Sequence, residues 1–257
     1  MWMLLDRFRR WREQRILQRY AMPEAEWQSA VAELPLLHGL DADERKRLRE
    51  LATLFLYRKQ VMAAEGYRLS EKVRLKIAAQ ACLPVLNLGL ECYSGWVSVI
   101  VYPDEFVPGR EYTDEAGVVH IDRLPMIGES WQRGPVILSA ADVEHAGAVD
   151  GVNVVIHEFV HKLDMLNGYA DGFPPLHRGM SAAAWTQAFT QAYEDFCRQV
   201  DSGAVTAIDP YAAENPAEFF AVISEVFFEK PHVLLAEYPQ VYRQLADFYR
   251  QDPSVRF

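Results

Sequence analysis

The chain has 257 residues, half of them hydrophobic, enough to bury a sizeable core in one or two domains. A net charge of -10 argues against direct nucleic-acid binding, which needs clustered Lys and Arg against phosphate. Cys82, Cys92 and Cys197 are widely spaced and odd in number, which fits reduced cysteines of a cytoplasmic protein and neither a disulfide framework nor a zinc ribbon.

Residues 1–12 are arginine-rich and carry Leu4, Leu5, Phe8 and Trp11 at helical spacing. A helix of this kind either docks on the domain behind it or lies in a membrane interface, and docking is the preferred reading. The apolar stretch is too short and too charged for a signal peptide or a membrane span, so a cytoplasmic protein is expected. Amphipathic helices are expected over 23–34, over 42–54 behind an Asp41 cap, and over 70–82. The pattern then changes to short β-rich runs at 85–88, 96–102, 118–121 and 136–138. Asp104, Pro108-Gly109 and residues 115–117 punctuate these runs. A helix near 155–164, a long loop over 167–178 and helices near 182–200, 216–229 and 240–250 complete the chain. No internal repeat or low-complexity linker interrupts it. The expected organisation is α+β, with an N-terminal helical region (1–80) packed on a catalytic domain (81–257).

The chemistry concentrates in His157-Glu158-Phe159-Val160-His161, flanked by Val154, Val155, Ile156 and Leu163. Four residues advance a helix by roughly 400°, so His157 and His161 sit one turn apart on one face and can ligate one zinc ion. Glu158, about 100° round the helix, can act as general base beside it. A catalytic zinc usually takes three protein ligands. An extended three-histidine motif is absent, because Asp164 and Asn167 stand where it needs glycine and histidine. Residues 180–185, where a thermolysin-like enzyme would place its glutamate, hold no acid. The third ligand therefore comes from farther along, among Glu194, Glu214, Glu218, Glu225 and Glu229.

Asn215-Pro216 is a good helix start, and Pro231 closes the segment. Phe219, Phe220, Val222, Ile223, Val226 and Phe227 make this helix apolar over most of its circumference. Glu218 and Glu225, seven residues apart, share a face. A carboxylate on a buried helix is costly unless it is paired or binds a metal. Glu218 is the preferred ligand, and Glu225 a residue that would orient a ligating histidine. The alternative for both is a place bordering solvent. Asp164 either holds an imidazole or caps locally.

These segments, together with Tyr211, residues 77–84, the run ending Val101-Tyr102-Pro103 and residues 134–139, resemble the Mlc titration factor A family of bacteria. The likeness covers most of the chain beyond the N-terminal helix. The region of the two histidines and Glu218 is also similar to the peptidase domain of anthrax lethal factor. The resemblance implies a zincin-like α+β fold with a small mixed sheet. It implies a gluzincin-type metallopeptidase, an aminopeptidase, with one Zn2+ held by His157, His161 and Glu218. Glu158 would be the base, and Tyr211 would stabilise the oxyanion. By the same resemblance, residues 134–139 form an edge strand beside the cleft that pairs with the peptide substrate. The expected partners are a peptide and the glucose-repressor protein Mlc, through which sugar-uptake genes would be modulated. The alternative is a protein that sequesters a regulator and keeps zinc only for structure. Glu158 and Tyr211 favour the enzyme, since a structural zinc has no need of a base.

Overall fold

Helix starts in this chain are set mainly by short polar residues standing ahead of apolar runs. The computed structural model describes residues 2–64, 67–103, 112–113, 119–120 and 134–256. Helix α1 (Trp2–Arg19) docks through its C-terminal half, where Ile16 is buried and Glu13 meets Arg58 at 2.5 Å. Helix α2 (Glu24–Val31) buries Trp27 and Ala30. Helix α3 (Ala42–Arg58) opens with a reciprocal capping box: the Glu44 amide donates to Asp41, and the Asp41 amide donates to the Glu44 carboxylate. It runs one turn beyond the expected end. Strand β1 (Gln60–Ala63) follows, and Ser70 then caps α4 (Glu71–Cys82), whose second half is buried all round.

Strands β2 (Ser98–Tyr102), β3 (Tyr112–Thr113), β4 (Val119–His120) and β5 (Val136–Ser139) follow. The expected punctuation at Asp104, Pro108-Gly109 and 115–117, and the ends of the run at 118–121, lie outside the described residues. A parallel sheet has the order β1-β2-β5, and β3 pairs with β4 in a separate antiparallel ladder. The register aligns Val61 with Val99 and Val136, and Ala63 with Val101 and Leu138. The aligned valines and Leu138 are buried, whereas Met62 on the alternate face is exposed. The expected strand over 85–88 is not formed. Leu86, Leu88 and Gly89 donate to the carbonyls of Leu83, Val85 and Val85, so this buried run bonds to itself in tight turns. A short apolar run signals burial without choosing between strand and turn.

Helix α5 (Ala140–His145), capped by Ser139, leaves the end of β5 directly. Helix α6 (Val154–Asp164) starts at Asn153, whose side chain accepts from the Ile156 amide at 3.0 Å. Its rear face buries Phe159 in a cluster with Phe55, Tyr93 and Trp96, at centroid separations of 5.2–5.7 Å. Lys162, on the same helix, donates to the Gly134 carbonyl at 3.0 Å and so fixes the approach to β5. The loop over 167–178 leads to α7 (Ala182–Asp201) and then to α8 (Pro216–Glu229), which packs along α6. Helices α9 (Pro231–Glu237) and α10 (Pro239–Tyr249) close the chain; α10 adds Phe248 and Tyr249 to the aromatic core around Phe220, Phe227 and Phe228. No described helix is long and apolar enough to cross a membrane.

Candidate metal centre

Two helices build the site. Asn153 starts α6 so that His157 falls in its first turn and His161 one turn later, on the face turned toward α8. Asn215 starts α8, its carboxamide oxygen accepting from the amides of Ala217 and Glu218 at 2.9 and 3.1 Å, with Pro216 in the first turn. Glu218 is thereby presented at the end of a buried helix, facing both histidines.

Three side-chain atoms converge. His157 Nε2 and His161 Nε2 are 3.1 Å apart, and Glu218 Oε2 stands 3.0 Å from the first and 3.3 Å from the second. Among the described residues this is the group of His, Cys, Asp and Glu side chains able to hold a metal ion. The spacings are close to the roughly 3.3 Å edge of a tetrahedron with bonds of about 2.0 Å to a central ion. Glu218 Oε2 is also buried without a hydrogen-bond partner. An orphaned carboxylate oxygen facing two imidazole nitrogens fits a cation between them. Glu194, by contrast, lies exposed on α7, and Glu214 ends the turn that carries Tyr211.

The surrounding charges have clear directions. Burial works against a charged His157, but the Glu218 and Glu225 carboxylates outweigh it and raise the imidazole to about 10. Burial likewise pushes Glu218 up, and the two imidazoles overcome it and hold the carboxyl below the usual range. Such mutual holding is the signature of a negatively charged pocket that gathers positive charge.

Glu225 approaches His157 from behind. Its Oε1 is 2.7 Å from Nδ1, and its Oε2 accepts from the Asn153 backbone amide. When a cation takes the place of the Nε2 proton, the proton held on Nδ1 by Glu225 leaves the Nε2 lone pair facing inward. The network continues: the Asn153 side-chain amide donates to Gln80 and Glu229, both at 2.8 Å, and the Gly151 amide donates to Glu229 at 3.0 Å. Glu229, one of the acids open as a ligand in the sequence, is therefore part of the frame behind the helix start. Sequence reasoning missed Asn153, Gln80 and Gly151; an Asn just ahead of an apolar helix is the one signal available, and it points to a cap only.

Glu158 lies half-buried beside His157 and has no hydrogen-bond partner among the described residues. Tyr211 sits in a turn, Pro210–Ala213, whose Asp209 accepts from the Tyr211 amide at 2.9 Å. Its half-exposed ring is 6.1 Å from that of His157. Burial raises the phenol above its ordinary value, and the charges of Glu218, Glu158 and Glu214 add to the effect. Asp164, whose role was open, makes no hydrogen bond to an imidazole among the described residues and instead accepts from the Gly172 amide at 2.8 Å.

Residues 8–250 match the family described as glucose-regulated metallo-peptidase M90. Proteins named Mlc titration factor A from Salmonella gallinarum (strain 287/91 / NCTC 13346) and Salmonella choleraesuis (strain SC-B67) are each 40% identical over 251 residues. The alignment covers 96% of this chain and 92% of each relative. The chain belongs to the glucose-regulated metallo-peptidase M90 family.

Proposed function

We propose that the protein is a zinc-dependent peptidase of the gluzincin type, an aminopeptidase of the cytoplasm, with His157, His161 and Glu218 holding one Zn2+. The observation that carries this reading is the convergence of those three side chains beside Glu158. A bound zinc ion would supply Lewis acidity toward water and toward the scissile carbonyl. Glu158 takes the proton from the attacking water and passes it to the leaving amine. Tyr211, whose phenol carries its proton at neutral pH, donates to the oxyanion as charge develops. Glu225 keeps the His157 proton on Nδ1 and fixes the ring. Strand β5, an edge of the described parallel sheet, pairs with the extended substrate backbone. Recognition through the main chain leaves side-chain specificity broad. The preference for free N-termini rests on the family resemblance.

The name of the relatives supports a second activity, binding of the repressor Mlc, through which the protein would influence transcription without touching nucleic acid. A protein that only sequesters the regulator is the competing reading. It has no use for Glu158.

The test is hydrolysis of aminoacyl and internally quenched peptide substrates by zinc-loaded wild type and Glu158→Gln. Activity in the wild type that vanishes in a zinc-retaining variant supports the peptidase, and the panel separates end-trimming from internal cleavage. No hydrolysis by either protein with zinc bound would shift the weight to sequestration.

A further inference from the structure

Helix α1 has two apolar directions. Glu13, Ile16 and Leu17 turn toward α3 and the core, with Ile16 buried and Leu17 packed against it. At about 100° per residue, Phe8, Trp11, Arg12, Arg15 and Arg19 share another face, turned away from the first by more than about 100°. On that face Phe8 and Trp11 are 61% and 49% exposed, with ring centroids 5.6 Å apart. The Arg15 guanidinium lies over the Trp11 ring at 5.0 Å. Six arginines against Asp6 and Glu13 give the helix a local excess of positive charge in a chain whose net charge is -10. None of these residues belongs to the metal centre.

We propose that this face of α1 seats the protein on an anionic lipid surface, with Phe8 and Trp11 at headgroup level and the neighbouring arginines on lipid phosphates. Two features select this occupant. Adjacent exposed rings present apolar surface that water leaves unsatisfied, and an indole beside guanidinium groups suits the boundary between headgroup and acyl chain. On the outward face of α1 the arginines flank the two rings, so a flat anionic surface meets guanidinium and indole together. A nucleic acid, held mainly through its phosphates, gains less from the two rings. The contact is interfacial: the C-terminal half of α1 stays docked on α3 and holds the other face outward.

The experiment is co-sedimentation of the full chain with phosphatidylcholine vesicles and with vesicles containing phosphatidylglycerol, at low and high salt. Phe8→Ser/Trp11→Ser and Arg12→Gln/Arg15→Gln are compared with the wild type. The substituted side chains are exposed, so all three proteins should share one far-UV circular dichroism spectrum and one melting transition. The expected result is wild-type binding to phosphatidylglycerol vesicles at low salt, weakened at least about tenfold at high salt, on phosphatidylcholine alone, and in each double variant. Failure of the wild type to bind phosphatidylglycerol vesicles overturns the proposal, as does undiminished binding by the Phe8→Ser/Trp11→Ser protein. A complex with a short DNA duplex as tight as that with vesicles, lost on arginine replacement and indifferent to loss of the rings, assigns the face to nucleic acid and also overturns it.

Discussion

Asp164 accepts a hydrogen bond from the Gly172 amide at 2.8 Å, tying the end of the histidine-bearing helix α6 to the loop that follows. The Gly172 carbonyl in turn accepts from the Trp185 indole at 3.2 Å, on α7. Gly172 has φ +78, in the left-handed region, and a Cβ there would stand 2.5 Å from the Pro216 carbonyl oxygen. Pro216 opens the helix that presents Glu218 two residues later. One glycine therefore fits α6, α7 and α8 against one another. Gly172→Ala should cost about 2–4 kcal/mol of stability, from the backbone conformation and the clash together. Displacement of Pro216 should also weaken zinc binding. Thermal unfolding and chelator competition measure the two effects, and wild-type values in both would remove Gly172 from the site's frame.

The same aspartate makes stability depend on pH. Burial raises the Asp164 carboxyl from the usual 3.8 to about 6, against the Gly172 amide, which lowers it. Its second oxygen, Oδ1, has no hydrogen-bond partner among the described residues, so it can carry a proton without giving up a bond. Because the folded-state value is raised, the folded protein holds this proton more tightly. The resulting stabilisation is full below about pH 4 and is lost as pH rises through about 6. Asp164→Asn keeps an acceptor for Gly172 and carries no charge. In metal-free protein it should match the wild type near ~pH 4 and exceed it by on the order of 2 kcal/mol at about pH 7.5. Urea unfolding at the two pH values decides; parallel pH dependence in the two proteins would contradict the assignment.

The metal centre was more legible than its frame for a physical reason. His157, His161, Glu218 and Glu225 sit on two helices, where a fixed rotation per residue turns spacing into direction. The facing of the helices was then implied by the buried acids, which demand a partner. Tyr211 had no such period behind it and was found through the family resemblance. Asp164 and Gly172 meet across a loop whose path no local rule supplies, and Glu229 was legible as a buried acid but not as the partner of Asn153. In the fold, the caps Asp41 and Asn215 marked helix starts well, since each accepts from amides that the helix itself cannot satisfy, and Pro216 after Asn215 lacks the amide that would need a partner. Strand β1 left no comparable trace. It is four residues long, buries Val61 and exposes Met62, and takes its identity from pairing with β2 well over thirty residues onward. The turns over 85–88 show the opposite error, a strand-like composition used to fill a buried bend.

Glu225 serves two donors at once, the His157 ring and the Asn153 amide at the start of α6. Glu225→Ala removes both acceptors from a buried place, so the imidazole is free to turn and the helix start loses a bond. Zinc affinity should fall about 10–100-fold, the usual effect of losing the group that orients a ligating histidine. Glu225→Gln keeps one acceptor oxygen and should lie between alanine and the wild type. Competition with a chromogenic chelator gives the ranking directly. An alanine variant that binds zinc as the wild type does would show that His157 is oriented by other contacts.

Glu218 differs from Glu225 in the kind of loss expected. It is the only contribution of α8 to the three converging atoms, so a metal held there joins α8 to α6 and its binding energy adds to folding stability. At free zinc about a thousandfold above the dissociation constant, that linkage amounts to roughly 4 kcal/mol. Stripping the metal from the wild type should therefore lower the melting temperature, and the drop should nearly vanish in Glu218→Ala, whose zinc content falls sharply. Glu158→Gln supplies the contrast, because it changes the proposed base and leaves all three proposed ligands in place: it should keep both its zinc and the chelator-induced shift. Full zinc retention by Glu218→Ala would move the third ligand elsewhere. A normal chelator shift in that variant would separate the metal from the α6–α8 contact altogether.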